Sequence, residues 1–207
     1  MRAYTAAEIR AAEKPLLDAG VPLMARAAAG LAEVLRRMLA ETPGPLLVLA
    51  GSGDNGGDAL FAAAELAAEG GTVWIVPVGS RIHEEARDRA VDAGAREADP
   101  AVAAELARAS AIVLDGILGI GSAGHPALRD TARAVVAALR PLGSRVVAVD
   151  LPSGIDPDTG EVPDPEVLTA EVTVTFGAVK AGLLREPGAS YAGRVELVDV
   201  GLGLPTR

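Results

Sequence analysis

The chain has 207 residues, half of them apolar, with 19 Lys and Arg against 28 Asp and Glu and a formal charge of −9. That length suits one α/β domain with one core, and the acidic balance argues against a polyanion binder, so nucleic acid is not an expected partner. Cysteine is absent, which excludes disulfides, thiolate metal sites and cysteine nucleophiles, and 2% aromatics leave little for base stacking.

The first stretch is punctuated by Glu8, Glu13, Lys14 and Asp18, unlike a secretory signal. No apolar run approaches the roughly 18–20 residues that span a bilayer. A soluble cytoplasmic protein with no membrane partner is the expectation. Thr5 to Leu39 reads as helix, broken in two around Gly20-Val21-Pro22, with Leu23, Ala27, Leu31 and Leu35 recurring every four positions. Residues 1–42 are thus expected to pack as N-terminal helices on an α/β core of residues 43–207, the whole of 1–207 forming a single domain. After Pro43-Gly44-Pro45 the apolar run Leu46–Ala50 reads as a strand buried on both faces. A glycine loop, Gly51 to Asp58, then leads into a helix from Ala59 to Glu69.

The alternation continues. Thr72–Val78 reads as strand, His83–Ala93 as helix, Ala101–Arg108 as helix capped by Asp99, and Ala111–Leu114 as strand. Pro126–Leu139 follows as helix and Arg145–Val149 as strand; Val172–Phe176 and Arg194–Val200 are two more strands without a clear helix between them, predicting a less regular sheet edge. The fold class is α/β: a three-layer α/β/α sandwich on a mostly parallel sheet, with ligands at the carboxyl ends of the strands. The proline-rich segment Pro152–Pro165 is a long loop and a candidate for function.

Three strands end in polar, glycine-containing loops: Gly51–Asp58, Asp115–Gly124 and Asp150–Gly160. In a parallel sheet these lie along one edge. Glycines 51, 53, 56 and 57 permit positive φ and close approach of N–H groups to a ligand, chemistry that suits a nucleotide, although a Walker lysine is missing. Asp115 and Asp150 each follow an apolar strand, where an aspartate is an N-cap or turn former as readily as a ligand. Asn55, Asp115 and Ser153 offer amide, carboxylate and hydroxyl oxygens without the stacked carboxylates of calcium or magnesium sites, a set whose charge suits a monovalent ion. His83 reads as a surface residue of a helix and His125 as a loop residue nearer the pocket; Lys180, between glycines after a strand, faces either solvent or the pocket.

Five segments in order resemble the NAD(P)H-hydrate epimerase family, the YjeF N-terminal domain. They are Gly51-Ser52-Gly53-Asp54-Asn55-Gly56-Gly57-Asp58, Asp115-Gly116-Ile117-Leu118-Gly119-Ile120-Gly121, Val149-Asp150-Leu151-Pro152-Ser153-Gly154, Thr173-Val174-Thr175-Phe176 with Lys180-Ala181-Gly182-Leu183, and Val198-Asp199-Val200-Gly201. The resemblance implies a Rossmann-like sandwich, a homodimer, and interconversion of the R and S forms of hydrated NADH and NADPH. A companion dehydratase, in some bacteria fused to this domain, repairs only one epimer. Carried over, it implies substrate contacts on Asp54, Asn55, Gly56, Gly57 and Asp58, on Gly119, Ile120, Gly121, Ser122, Ala123, Gly124 and His125, and on Asp150. It also implies one potassium ion per subunit, on Asn55, Asp115 and Ser153.

The chain departs from the family at Asp54, where the family has Asn, at Ile120, where it has Thr, and at Ala25, where it has Glu. Inverting C6 of the hydrate requires an acid/base group at that carbon, and Asp150 with Lys180 as helper are the expected catalytic residues. Replacing Asp150 by Asn is expected to abolish the reaction and leave the fold intact. The alternative is a non-catalytic nucleotide- or partner-binding dimeric module of the same fold. A phosphate-transferring enzyme, suggested by the glycine loop, lacks the lysine it would need.

Overall fold

The computed structural model describes residues 2–205. In chain order the elements are β1 (Ala3–Tyr4), α1 (Ala6–Asp18), α2 (Leu23–Glu41), β2 (Leu46–Ala50), α3 (Asp54–Ala68), β3 (Val73–Pro77), α4 (Glu84–Asp92) and β4 (Arg96–Glu97). They continue as α5 (Ala103–Ala109), β5 (Ile112–Gly116), α6 (Asp130–Leu139), β6 (Val146–Val149), β7 (Val172–Phe176), β8 (Val179–Lys180), α7 (Ala189–Ala192) and β9 (Arg194–Val198).

Among the described residues the main sheet has seven strands in the order β4-β3-β2-β5-β6-β7-β9, every neighbouring pair parallel. Side chains alternate across it because successive residues of a strand point to opposite faces. Leu46, Val48 and Ala50 pack with α2, α3 and α4 on one side, Leu47 and Leu49 with α5 and α6 on the other. This is the expected three-layer sandwich. The chain runs outward through β2, β3 and β4, then returns to lay β5 beside β2 and runs outward the other way. The reversal leaves a crevice beyond the carboxyl ends of β2 and β5, where open α/β sheets place their ligands.

Helix α1 is held from both ends of the chain. Thr5 forms a capping box with Glu8, and the Ala6 N–H donates to Asp158 Oδ1 of the Pro152–Pro165 loop at 2.6 Å. A small parallel pair, β1 with β8, matches Tyr4 to Lys180. Neither two-residue strand shows a sequence pattern.

Four expectations need correction. The segment Gly51–Asp58 is loop only through Gly53; Asp54 already opens α3 with extended Gly53 as N-cap. None of glycines 51, 53, 56 and 57 has positive φ. Two of them are needed where backbones cross: a Cβ on Gly51 would lie 1.9 Å from the Ile117 carbonyl oxygen, and one on Gly56 would lie 2.2 Å from that of Gly51. The helix expected from Pro126 begins only at Asp130, because the preceding residues run without regular structure and seat Leu128 in the core beneath the sheet. The expected irregular edge is instead β9, paired regularly to β7 over five residue pairs; the irregularity lies in the connection, a 3-10 turn at Ala181–Leu184 and the one-turn α7. Among the described residues no helix is long and apolar enough to cross a membrane.

Candidate active site

Because α3 starts at Asp54, Asn55 and Asp58 fall three apart in its first turns and share a face toward the strand ends. Asn55 Nδ2 donates to the carbonyls of Leu118 at 3.0 Å and Val149 at 2.9 Å, tying the ends of β5 and β6 to α3. Beneath it lies Asp115, 1% exposed. Its carboxylate accepts from the Ser153 hydroxyl at 2.6 Å, the Ser153 N–H at 2.9 Å and the Ile117 N–H at 3.3 Å. Burial pushes the Asp115 carboxyl above its ordinary range and these donors pull against it. No Lys or Arg pairs with Asp115 among the described residues, so a buried carboxylate stands without a countercharge. With the Ser153 hydroxyl, which also stands 3.4 Å from the Leu118 carbonyl, it forms a cluster of hard oxygen donors carrying one formal charge. No group of three or more His, Cys, Asp and Glu that could hold a metal occurs among the described residues. One carboxylate with neutral hydroxyl and amide oxygens fits a monovalent cation better than a divalent one.

The end of β6 is built differently. Asp150 has φ 69°, a left-handed conformation that Asp tolerates better than most side chains, held by its N–H donating to the Val174 carbonyl at 2.7 Å. Its Oδ1 accepts from the Phe176 N–H at 3.3 Å and the Thr175 hydroxyl at 3.4 Å, and forms an ion pair with Lys180. Lys180 is 2% exposed, and its ammonium also donates to the Phe176 carbonyl at 2.9 Å. The turn at Gly177 (φ 68°) and the short β8 strand carry this lysine back under Asp150. Asp58 is 9% exposed and contrasts with both: its Oδ1 is buried and meets no hydrogen-bond partner among the described residues. Burial, then the nearby carboxylates of Asp150 and Asp54, push its carboxyl up to about 8, while Lys180 pulls the other way.

These groups face a cavity of about 930 Å³, of the size that takes a whole small ligand. Its wall includes Asp54, Asn55, Asp58, Asp150 and Lys180, and from the loop after β5 Gly119, Ile120, Gly121, Ser122 and His125. Gly56, Gly57, Ala123 and Gly124 are not on the wall. The first two are packed inside α3, and the Gly124 N–H is bound to Asp156 Oδ2 at 2.7 Å. Asp115 and Ser153 lie behind the wall, buried. His83 caps α4, accepting from the Ala86 N–H, and its ring meets Phe61 edge-on rather than lying free on the surface.

Sequence reasoning missed the far side of the cavity: Glu13 and Leu17 of α1, Leu23 and Met24 of α2, Gly79 and Ser80 after β3, and Arg129–Thr131 at the start of α6. Glu13 carried a signal. It lies four residues after Ile9 and three before Leu16, on the buried stripe of α1, where a carboxylate is out of place. Burial pushes its carboxyl up; Lys180 lowers it and Asp150 raises it.

A family model described as YjeF-related protein N-terminus matches residues 20–182. The chain is 60% identical to an NAD(P)H-hydrate epimerase of Clavibacter sepedonicus, over 97% of this chain and 91% of that protein. It is 54% identical to one of Microbacterium testaceum, over 97% and 78%. It is 42% identical to the bifunctional NAD(P)H-hydrate repair enzyme Nnr of Mycobacterium tuberculosis strain H37Rv, covering 97% of this chain but 42% of that one. Among solved structures the yeast protein ynu0 superposes with a TM-score of 0.76 at 20% identity, over 91% of this chain and 86% of that one, which bears on the fold alone. A family match across most of the chain, relatives above half identity over nearly their full length and the same fold make this chain a member of the YjeF N-terminal family.

Proposed function

We infer that this chain is an NAD(P)H-hydrate epimerase, interconverting the R and S forms of hydrated NADH and NADPH in cofactor repair. The observation that carries the reading is the buried Asp150–Lys180 pair opening, beside Asp58, into a cavity of about 930 Å³. The identity to named epimerases supports it over the whole chain. In this reading the loop Gly119–His125, which lines the cavity at Gly119–Ser122 and His125, holds the dinucleotide. Asp54, Asn55, Asp58 and Asp150 take the hydrated ring end. Epimerisation at C6 breaks one bond to that carbon and remakes it on the opposite face, and Asp150 serves as its acid/base group. Lys180 pairs with the Asp150 carboxylate and holds it in place.

Asn55, Asp115 and Ser153 would hold a potassium ion, one per subunit. When bound it supplies a positive charge beneath the loops after β2, β5 and β6 and offsets the buried Asp115 carboxylate. The same resemblance extends the reading to a homodimer working in the cytoplasm. The resemblance also extends it to an NAD(P)H-hydrate dehydratase as functional companion, and the relatives named bifunctional NAD(P)H-hydrate repair enzyme support a second repair activity beside this one.

The test is to mix the protein with chromatographically resolved S and R hydrates of NADH and NADPH, with potassium or sodium, and follow their interconversion against the spontaneous rate. Faster equilibration is expected; a folded protein that adds nothing in either salt overturns the reading. The cation has its own test. At about ten times its dissociation constant, potassium is expected to raise stability by about 1.4 kcal/mol over sodium at equal ionic strength, a few degrees in the thermal midpoint. Asp115→Asn is expected to remove the difference, and equal midpoints in the two salts for the wild-type protein would exclude the site.

A further inference from the structure

Resting on the epimerase reading, we propose that Asp58 is the proton donor of the reaction and that inversion proceeds by loss of the C6 hydroxyl as water, through a cationic iminium, rather than by opening the ring.

Two carboxyls of the cavity stand in opposite surroundings. Asp150 accepts from an N–H and a hydroxyl and is paired with an ammonium. Asp58 is as deeply buried, yet its Oδ1 receives no donor among the described residues. A buried carboxyl with one oxygen stripped of donors favours the protonated form, and in that form it has a proton to give to the cavity it lines. The charged groups that bear on it are Asp54 on its own helix, Asp150 and Lys180 from the β6 and β8 side, and Glu13 from α1. Burial first, and then the three acids among these four, push the Asp58 carboxyl up to about 8.

The step balances. The Asp58 proton passes to the C6 hydroxyl oxygen, the C6–O bond breaks with its electrons going to oxygen, and water leaves. The N1 lone pair forms the C6=N1 bond, which carries one positive charge, and Asp58 is left as carboxylate. Water then adds to the other face of C6, the electron pair returns to N1, Asp150 takes the proton that this water sheds, and proton exchange with solvent returns both carboxyls to their starting states. The cation forms among Asp150, Glu13, Asp54 and the newly charged Asp58, oriented before the reaction and so stabilising without reorganisation. Ring opening develops no such cation, and this surplus of carboxylates would do nothing for it.

The experiment runs the epimerisation of NADH hydrate in water enriched in oxygen-18 and counts label in the recovered hydrate by mass spectrometry. About one labelled oxygen per inversion is expected, and inversion without label overturns the proposal. In the wild-type enzyme kcat is expected to fall as pH rises through about 8, where Asp58 loses its proton; a profile flat from pH 6 to 10 overturns it. Asp58→Asn is expected to lower kcat by about 10²–10⁴-fold with little change in KM, and kcat within threefold of wild type overturns it. Because Asn removes an undonated buried carboxyl, the variant is expected to unfold no earlier than wild type at pH 8. If it fails to fold, the label count and the wild-type pH profile still decide. A wild-type protein that leaves both epimers at the spontaneous rate overturns the epimerase reading itself, whereas the other adverse outcomes overturn only the role of Asp58.

Discussion

Lys180→Met is expected to lower the folding stability by about 3–5 kcal/mol, the cost of leaving a buried charge without its partner. Asp150 is 6% exposed and Lys180 2%, so water cannot replace the lost ammonium. The Phe176 N–H and Thr175 hydroxyl remain at 3.3 and 3.4 Å, too long to hold the carboxylate alone. Asp150→Asn is expected to cost a similar amount for the mirror reason, because it strands the lysine. The double variant, Lys180→Met with Asp150→Asn, removes both charges and is expected to recover most of the loss, since neutral replacement of a buried pair is often near neutral. Urea unfolding of the four proteins measures this as a coupling energy. Single variants at the wild-type midpoint, or a double variant whose loss is the sum of the singles, would show that the pair is not a closed electrostatic unit. The sequence-based expectation that Asp150→Asn leaves the fold intact is thereby modified: the backbone tolerates Asn at φ 69°, but the charge balance beneath it does not.

The second large effect is on rate. Asp150→Asn is expected to reduce epimerisation by about 10²–10⁴-fold, the range that a positioned acid/base group supplies. Asn keeps the shape and the N–H bond to the Val174 carbonyl at 2.7 Å, so substrate positioning is retained while the proton acceptor is lost. The lower stability must not be mistaken for lost chemistry. Rates are therefore to be read well below the variant's midpoint, with circular dichroism confirming a folded protein in the same buffer. A folded variant that equilibrates the hydrates at the wild-type rate would take Asp150 out of the reaction and leave it a structural partner of Lys180.

Much of the architecture was legible because it is local. Strands buried on both faces of a parallel sheet are continuous apolar runs whatever their neighbours, so Leu46–Ala50 and Val172–Phe176 have the same bounds in the sequence reading and in the structure. The break between α1 and α2 at Gly20-Val21-Pro22 is likewise a short-range property of the backbone. That loops after β2, β5 and β6 meet at one edge follows from the parallel sheet alone. Local information fails where distant segments touch. Gly56 and Gly57 mark a loop by propensity, yet Gly56 is helical, its missing Cβ making room for the Gly51 carbonyl. Strands β1 and β8 are two residues each and exist only because the chain's beginning pairs with a segment near its end. Asn55 is oriented by carbonyls 63 and 94 positions away, and Asp115 by a serine 38 positions away. The chemical character of the site belongs to this second kind. Nothing in the letters around Asp58 separates it from Asp150; burial and the presence or absence of donors do, and both arise only once the chain has folded.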